Sequence, residues 1–379
     1  MQHENYYQQF LNQNSYPREL KNDDEKKLIN FSSNDYLGLA KNPLLIQRSQ
    51  EYAEKFGVGS TSSRLVAGNF SLYEALEKKL AKKIGKPATL IFGTGYQANT
   101  SVLEALFDSR VLGGEPRVFC DRFCHVSLLA TTKHLTRLHR FQHNNLDHLE
   151  VLLKKYVDET RPAFILAESI YSMDGDKAEM EKLIFLAKKY HAFLYLDDAH
   201  AFGVEGIEGF GIAANYSNQI DIVMGTFSKA AGSFGAYIAC STLMRNYLIN
   251  KCRGLIYSTG LPPAVLGAID AAIELFPQLQ KQREVLHHRA TELRQFFEKH
   301  KIDYGNANTH IIPWIIGDSE KTIRASELLE AHGILGATIR PPSVPVGKSR
   351  IRFCLSTAHT DEEIERLKSA ILVVRQKLF

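Results

Sequence analysis

Gly225-Thr226-Phe227-Ser228-Lys229-Ala230-Ala231-Gly232-Ser233-Phe234-Gly235 follows the apolar run Ile220-Asp221-Ile222-Val223-Met224 and sets one lysine in a loop of small residues. A lysine at a strand's end can lose solvation, give up its proton and attack an aldehyde. A solvated loop lysine is the ordinary alternative, and a segment upstream decides against it. In Phe193-Leu194-Tyr195-Leu196-Asp197-Asp198-Ala199-His200 a covered strand ends in a carboxylate, with an imidazole three positions later. An amine for an aldehyde and an acid for a pyridinium nitrogen are together what pyridoxal phosphate needs from a protein. The pair points to an enzyme.

Outward from these two segments the chain alternates short apolar runs with helical patterns. The runs are Ala88-Thr89-Leu90-Ile91-Phe92, Val118-Phe119-Cys120, Ala163-Phe164-Ile165-Leu166-Ala167, Ala192-Phe193-Leu194-Tyr195-Leu196 and the run before Lys229. Helical spacing separates them over 43–56, 73–80, 146–156 and 177–190. Such alternation predicts an α/β fold, a three-layer sandwich with a mostly parallel central sheet between helices. A long helical pattern over 262–301, interrupted near Pro277, leads into a looser strand-and-helix region. The expected organisation is an N-terminal arm over 1–42, a large cofactor-binding domain over 43–270 and a smaller C-terminal α+β domain over 271–379.

Composition narrows the function. The chain has 379 residues, 44% hydrophobic and 23% charged, with a net charge of +4 and mixed signs throughout. That balance supports neither a nucleic-acid partner nor a polybasic membrane role. No apolar run approaches the ~20 residues of a membrane helix, and the first residues lack a basic patch followed by an apolar stretch. A soluble, cytoplasmic protein is expected. Five scattered cysteines make no disulfide framework, and no zinc-site spacing accompanies Cys120 and Cys124, so no metal is assigned.

Ligands of open α/β sheets gather at the carboxyl ends of the strands. Gly93-Thr94-Gly95-Tyr96-Gln97-Ala98-Asn99 follows one strand and opens a helix whose N-terminus can hold a phosphate. Tyr96 or His125 is suited to lie over an aromatic ring. Asp121-Arg122-Phe123-Cys124-His125, the stretch from Glu168 to Asp176, Asp197 with His200, and Thr226 with Lys229 follow the other strands. Gly93-x-Gly95-x-x-Ala98 also fits a dinucleotide fingerprint, with Asp121 placed for a ribose hydroxyl, so an NAD-dependent dehydrogenase is the rival from another class. That rival leaves Lys229, Asp197 and His200 without a task. Asp198 reads as a structural acid, and Ser172 and Thr226 also suit ordinary caps.

The residues then match a known family. From Asn30-Phe31-Ser32-Ser33-Asn34-Asp35-Tyr36-Leu37-Gly38-Leu39 to Ser356-Thr357-Ala358-His359 the chain resembles the α-oxoamine synthases, pyridoxal-phosphate enzymes of the aspartate-aminotransferase fold, fold type I. The specific markers are Asp121–His125, Ser172-Met173-Asp174-Gly175-Asp176, Asp197-Asp198-Ala199-His200, Thr226-Phe227-Ser228-Lys229 and Ile256-Tyr257-Ser258-Thr259.

The resemblance implies a decarboxylative condensation of L-alanine with a pimeloyl thioester, carried by coenzyme A or an acyl carrier protein. Another acyl-thioester condensing activity of the family, such as 2-amino-3-ketobutyrate ligase, is the alternative; Arg340-Pro341-Pro342-Ser343-Val344-Pro345 leans toward the alanine reaction. By the same resemblance Lys229 would bond the cofactor's aldehyde and move the α-proton. Asp197 would pair with the ring nitrogen, His200 would bond the phenolic oxygen and His125 would stack on the ring. Gly95, Tyr96, Ser172 and Thr226 would contact the cofactor. Arg352 would bind the amino-acid carboxylate, with Asn34 and Ser343 lining the substrate side. Ser258 and Thr259 would reach the neighbouring subunit's site, implying a homodimer. Two departures stand out: Asn12-Gln13-Asn14-Ser15 replaces a basic cluster before Tyr16-Pro17, leaving Arg18 as its substitute for the acyl substrate's distal end, and Ser228 replaces a common glycine, an expected change of packing only.

Overall fold

The structure is a computed structural model and describes residues 28–156 and 161–378. Arg18 and most of the expected arm lie outside those residues. The strands are β1 (Ile29–Asn30), β2 (Ala88–Phe92), β3 (Arg117–Asp121), β4 (Arg137–Phe141), β5 (Ala163–Glu168), β6 (Phe193–Asp197), β7 (Ile222–Thr226), β8 (Ala236–Cys240), β9 (Ile311–Gly317), β10 (Ile334–Leu335), β11 (Ala337–Ile339) and β12 (Ser349–Cys354).

Seven of them form the central sheet, in the order β2-β8-β7-β6-β5-β3-β4. β3 to β7 pair in parallel, whereas β8 is antiparallel to both β2 and β7. The carboxyl ends of β2, β3, β5, β6 and β7 therefore share one edge. Alternate residues point to opposite faces. Ile91, Phe119, Ile165, Leu194 and Val223 enter one apolar cluster, while Leu90, Val118, Leu166, Tyr195 and Ile222 enter the other. Both faces are covered, which is why these strands read as unbroken apolar runs. Each fully buried aliphatic or aromatic side chain contributes roughly 1.5–3 kcal/mol.

Two strands of the central sheet were not legible as such. β4 is an edge strand whose Arg137, Leu138, His139 and Arg140 are exposed or half-covered, so it lacks an apolar run. β8 is fully buried but follows the glycine loop directly, and its antiparallel sense breaks the strand–helix alternation. The strand before Lys229 also begins at Ile222; Asp221 instead accepts a hydrogen bond from the Leu194 amide.

Helices Pro263–Leu275 and Gln280–Lys299, separated by a short turn at Phe276–Gln278, lead from the central sheet to the antiparallel sheet β11-β12-β9. Helix Pro43–Phe56 packs along Pro263–Leu275 so closely that a Cβ on Gly267 would lie 2.4 Å from the Arg48 carbonyl. The segment around residues 31–36 is threaded between the two sheets. Its Phe31 and Tyr36 carbonyls accept the amides of Cys354 and Thr357, just where β12 ends. Among the described residues no helix is long and apolar enough to cross a membrane.

Candidate active site

A cavity of about 250 Å³ opens at the shared edge, lined by Thr94, Gly95, Tyr96, Asn99, His125, Ser127, Glu168, Asp197, Ala199, His200, Met224, Thr226, Ser228 and Lys229. Seven of the expected residues meet there: Gly95, Tyr96, His125, Asp197, His200, Thr226 and Lys229. The Lys229 Nζ lies 2.8 Å from His200 Nε2. Burial pushes this amine down to about 8, against the pull of the Asp197 and Glu168 carboxylates. Burial likewise keeps the His200 imidazole neutral, its pKa well below the usual range, with Lys229 and Arg352 adding to the effect.

Asp197 ends β6 and is nearly fully buried. One of its oxygens accepts the Ala199 amide at 3.0 Å, and the other accepts Asn99 Nδ2 at 2.8 Å. Asn99 gives its second amide hydrogen to Ser127 Oγ at 2.8 Å and accepts the Tyr195 hydroxyl at 2.8 Å. Ser127 Oγ sits 2.7 Å from His125 Nδ1, and the Ser127 amide also donates to that nitrogen. Nδ1 is therefore an acceptor, and the proton of the neutral ring sits on Nε2. Burial lowers the His125 pKa, which favours that neutral form. The His125 amide donates to Glu168, whose carboxyl is raised well above the usual range by burial and by the nearby Asp197 charge.

The residues fit pyridoxal phosphate by the chemistry of the donor set. Helix Gly95–Leu106 begins at the cavity, capped by the Thr94 hydroxyl on the Gln97 amide, and the amides of its first turn have no intrahelical partner. Gly95 faces Met224 and Thr226 Oγ1 across the cavity, which a Cβ built on it would meet at 3.8–3.9 Å. Thr226 and Ser228 hydroxyls lie 2.8 Å apart at the same place, so Ser228 faces the cavity rather than merely altering packing.

The remaining candidates surround this centre. Ser172 and Ser343 line an adjoining cavity of about 530 Å³ that shares His125 with the first. Arg352 is buried on β12; its Nη1 donates to the Ser172 carbonyl at 3.2 Å and its Nη2 to Asn34 Oδ1 at 3.4 Å. Its Nε has no partner, which leaves the guanidinium able to take a carboxylate. Ser258 and Thr259 stand apart, at a small depression with Gly93 and Gln97, where Ser258 Oγ accepts Gln97 Nε2. Asp121 is not free for a ribose: it is fully buried, and its oxygens take the Phe123 and Asn144 amides and the His143 ring. Asp198 is structural, as read, holding the Ala213 amide.

Sequence reasoning missed Asn99, Ser127, Glu168 and Tyr36. Asn99 and Glu168 lie within stretches already singled out by position, but their partners come from elements distant in sequence and no local spacing announces them.

Comparison with known proteins agrees with this geometry. The sequence model of the family described as aminotransferase class I and II matches residues 26–371. A Magnetococcus marinus protein, provisionally named an 8-amino-7-oxononanoate synthase, is 50% identical over 92% of this chain and 88% of its own length. The 8-amino-7-oxononanoate synthase of Gluconacetobacter diazotrophicus is 45% identical over 92% of this chain and 88% of its own. A serine palmitoyltransferase variant from S. paucimobilis, solved with bound PLP and myriocin, superposes with a TM-score of 0.87 at 25% identity, covering 94% of this chain and 89% of that one. By both measures the chain belongs to the class I and II aminotransferase family, of fold type I, and within it to the group of the 8-amino-7-oxononanoate synthases.

Proposed function

We propose that this protein condenses L-alanine with a pimeloyl thioester, releasing carbon dioxide and the carrier thiol, to give 8-amino-7-oxononanoate in biotin biosynthesis. The observation that carries the reading is the Lys229 amine, brought down to about 8 by burial and enclosed with Asp197 and His200 at the mouth of the phosphate-binding helix. Pyridoxal phosphate, when bound, supplies an aldehyde for that amine and a protonated ring that draws electrons from the amino acid's α-carbon.

The chain's own residues do the rest. Asp197 holds a proton on the ring nitrogen, and Asn99 holds Asp197 in place. Arg352 binds the alanine carboxylate, steadied by Asn34 and the Ser172 carbonyl. Lys229 Nζ takes the α-proton. His125 donates from Nε2 to the thioester oxygen, which arrives through the cavity shared with Ser172 and Ser343. Condensation sets a carbonyl β to the alanine carboxylate, and that is what lets carbon dioxide leave.

The protein works as a homodimer in which Ser258 and Thr259 of one protomer complete the site of the other. Their place outside the lining of the Lys229 cavity within one chain and the exposure of neighbouring Tyr257 support this reading. Its five buried free thiols suit the reducing cytoplasm. The test offers alanine, glycine and serine to the purified protein with pimeloyl-coenzyme A and pimeloyl-acyl carrier protein. Alanine with a pimeloyl thioester is expected to turn over, and Lys229→Ala is expected to abolish both turnover and the imine absorbance of the purified protein. Turnover with glycine alone would replace this reading with the ligase one.

A further inference from the structure

Behind Lys229 the hydrogen bonds offer more positions than there are protons. The Tyr36 hydroxyl lies 2.7 Å from His200 Nδ1 and 3.1 Å from Asn34 Oδ1, while His200 Nε2 faces Lys229 Nζ at 2.8 Å. Tyr36 is fully buried, and its phenol stays protonated because burial raises it well above the usual range. It has one hydrogen to give and two acceptors within reach. His310 packs against the Tyr36 ring with centroids 4.0 Å apart, but both of its nitrogens lack a partner, so it offers no third.

The two choices have opposite consequences for the cavity. If Tyr36 donates to Asn34, its oxygen accepts from His200 Nδ1–H, and Nε2 turns a bare lone pair toward Lys229. If the hydroxyl rotates and donates to Nδ1, the neutral ring carries its proton on Nε2 and presents a donor instead. Asn34 also receives Arg352 Nη2 at 3.4 Å, so the same carboxamide joins the carboxylate-binding residue to this choice.

We propose that Tyr36 is a positioning residue that decides which nitrogen of His200 carries the proton. In the cofactor-free protein its hydroxyl serves Asn34, and His200 Nε2 accepts from the Lys229 ammonium. With pyridoxal phosphate in the cavity it serves His200 Nδ1, and Nε2 becomes a donor to the phenolic oxygen. The inference rests on the reading of the cavity as the pyridoxal-phosphate site.

Ring-15N-histidine NMR on the whole protein tests it, with His200 assigned by its loss in His200→Asn. The wild type is expected to show Nδ1–H without cofactor and Nε2–H after loading, with loading itself followed by absorbance. In loaded Tyr36→Phe the two nitrogens are expected to report a mixture, with kcat down about tenfold and the alanine KM within twofold of the wild type, since a bond to His200 and not to substrate is lost. The same nitrogen protonated in both wild-type states would overturn the proposal, and that comparison decides even if Tyr36→Phe does not fold. Failure to load cofactor at all would instead overturn the function from which it starts.

Discussion

Asn99 is the residue on which the site's polarity turns. It is fully buried and joins Tyr195, Asp197 and Ser127, and through Ser127 it orients His125. Asn99→Ala strands a hydroxyl and one carboxylate oxygen away from water, a loss of about 2–3 kcal/mol. Misplacing both Asp197 and His125 should also lower kcat by about tenfold or more. Urea unfolding and steady-state kinetics on the same preparation check the pair of effects; a stability loss with unchanged kcat would confine Asn99 to the fold. Lys229 makes a prediction in pH. Because its amine is held down to about 8, the rate at which cofactor-free protein captures pyridoxal phosphate should rise from pH 6.5, pass half its maximum near 8 and level off about one unit above that. A rate still climbing toward 10 would describe a solvated lysine.

At the scale of elements, β12 carries two arginines on one face with different tasks. Arg350 is satisfied, donating to the Lys348 and Met173 carbonyls and pairing with Asp174 at 2.7 Å. Arg352 is not, as its free Nε indicates. Arg352→Ala should raise the alanine KM roughly 10- to 100-fold, the worth of a charge-assisted bond, with little change in melting temperature. Arg350→Ala should do the reverse, costing about 3 kcal/mol by leaving Asp174 unpaired while the alanine KM stays put. Kinetics and thermal melts of the two variants side by side decide it.

The central strands and their carboxyl ends were legible because burial on both faces writes continuous apolar runs. Asp197, Lys229 and the Gly93–Gly95 turn stand out as the polar residues that end those runs. β4 was not legible, since an edge strand need not be apolar. Nor was the Asn99 network, because hydrogen bonds that join one helix to a single strand and to a short helical turn leave no period in sequence.

In the whole molecule the loop over residues 171–177 joins the central sheet to the antiparallel one. Its Gly175 carbonyl accepts Asn308 N and Thr309 Oγ1, its Ser172 and Met173 carbonyls meet β12, and its Asp176 pairs with His143 at 3.0 Å. His143 also pairs with Asp121 at 3.0 Å, and Phe123 stacks on its ring. Burial opposes charging this imidazole, but the two carboxylates outweigh it and push it up to about 10. A folded value above the ordinary 6.5 means the joint's stabilisation is complete below 6.5 and fades as pH rises toward 10. His143→Gln should therefore cost about 3 kcal/mol at pH 6 and much less at pH 10. Urea unfolding at the two pH values checks it, and a cost independent of pH would contradict it. Such a joint lets the Lys229 cavity on one sheet and Arg352 on the other keep a fixed distance.

Borohydride reduction of the protein loaded with pyridoxal phosphate, followed by peptide mass spectrometry, tests the central claim most directly. The pyridoxyl group should be found on Lys229 and on no other lysine. Its appearance on a different lysine, or on none, would contradict the account.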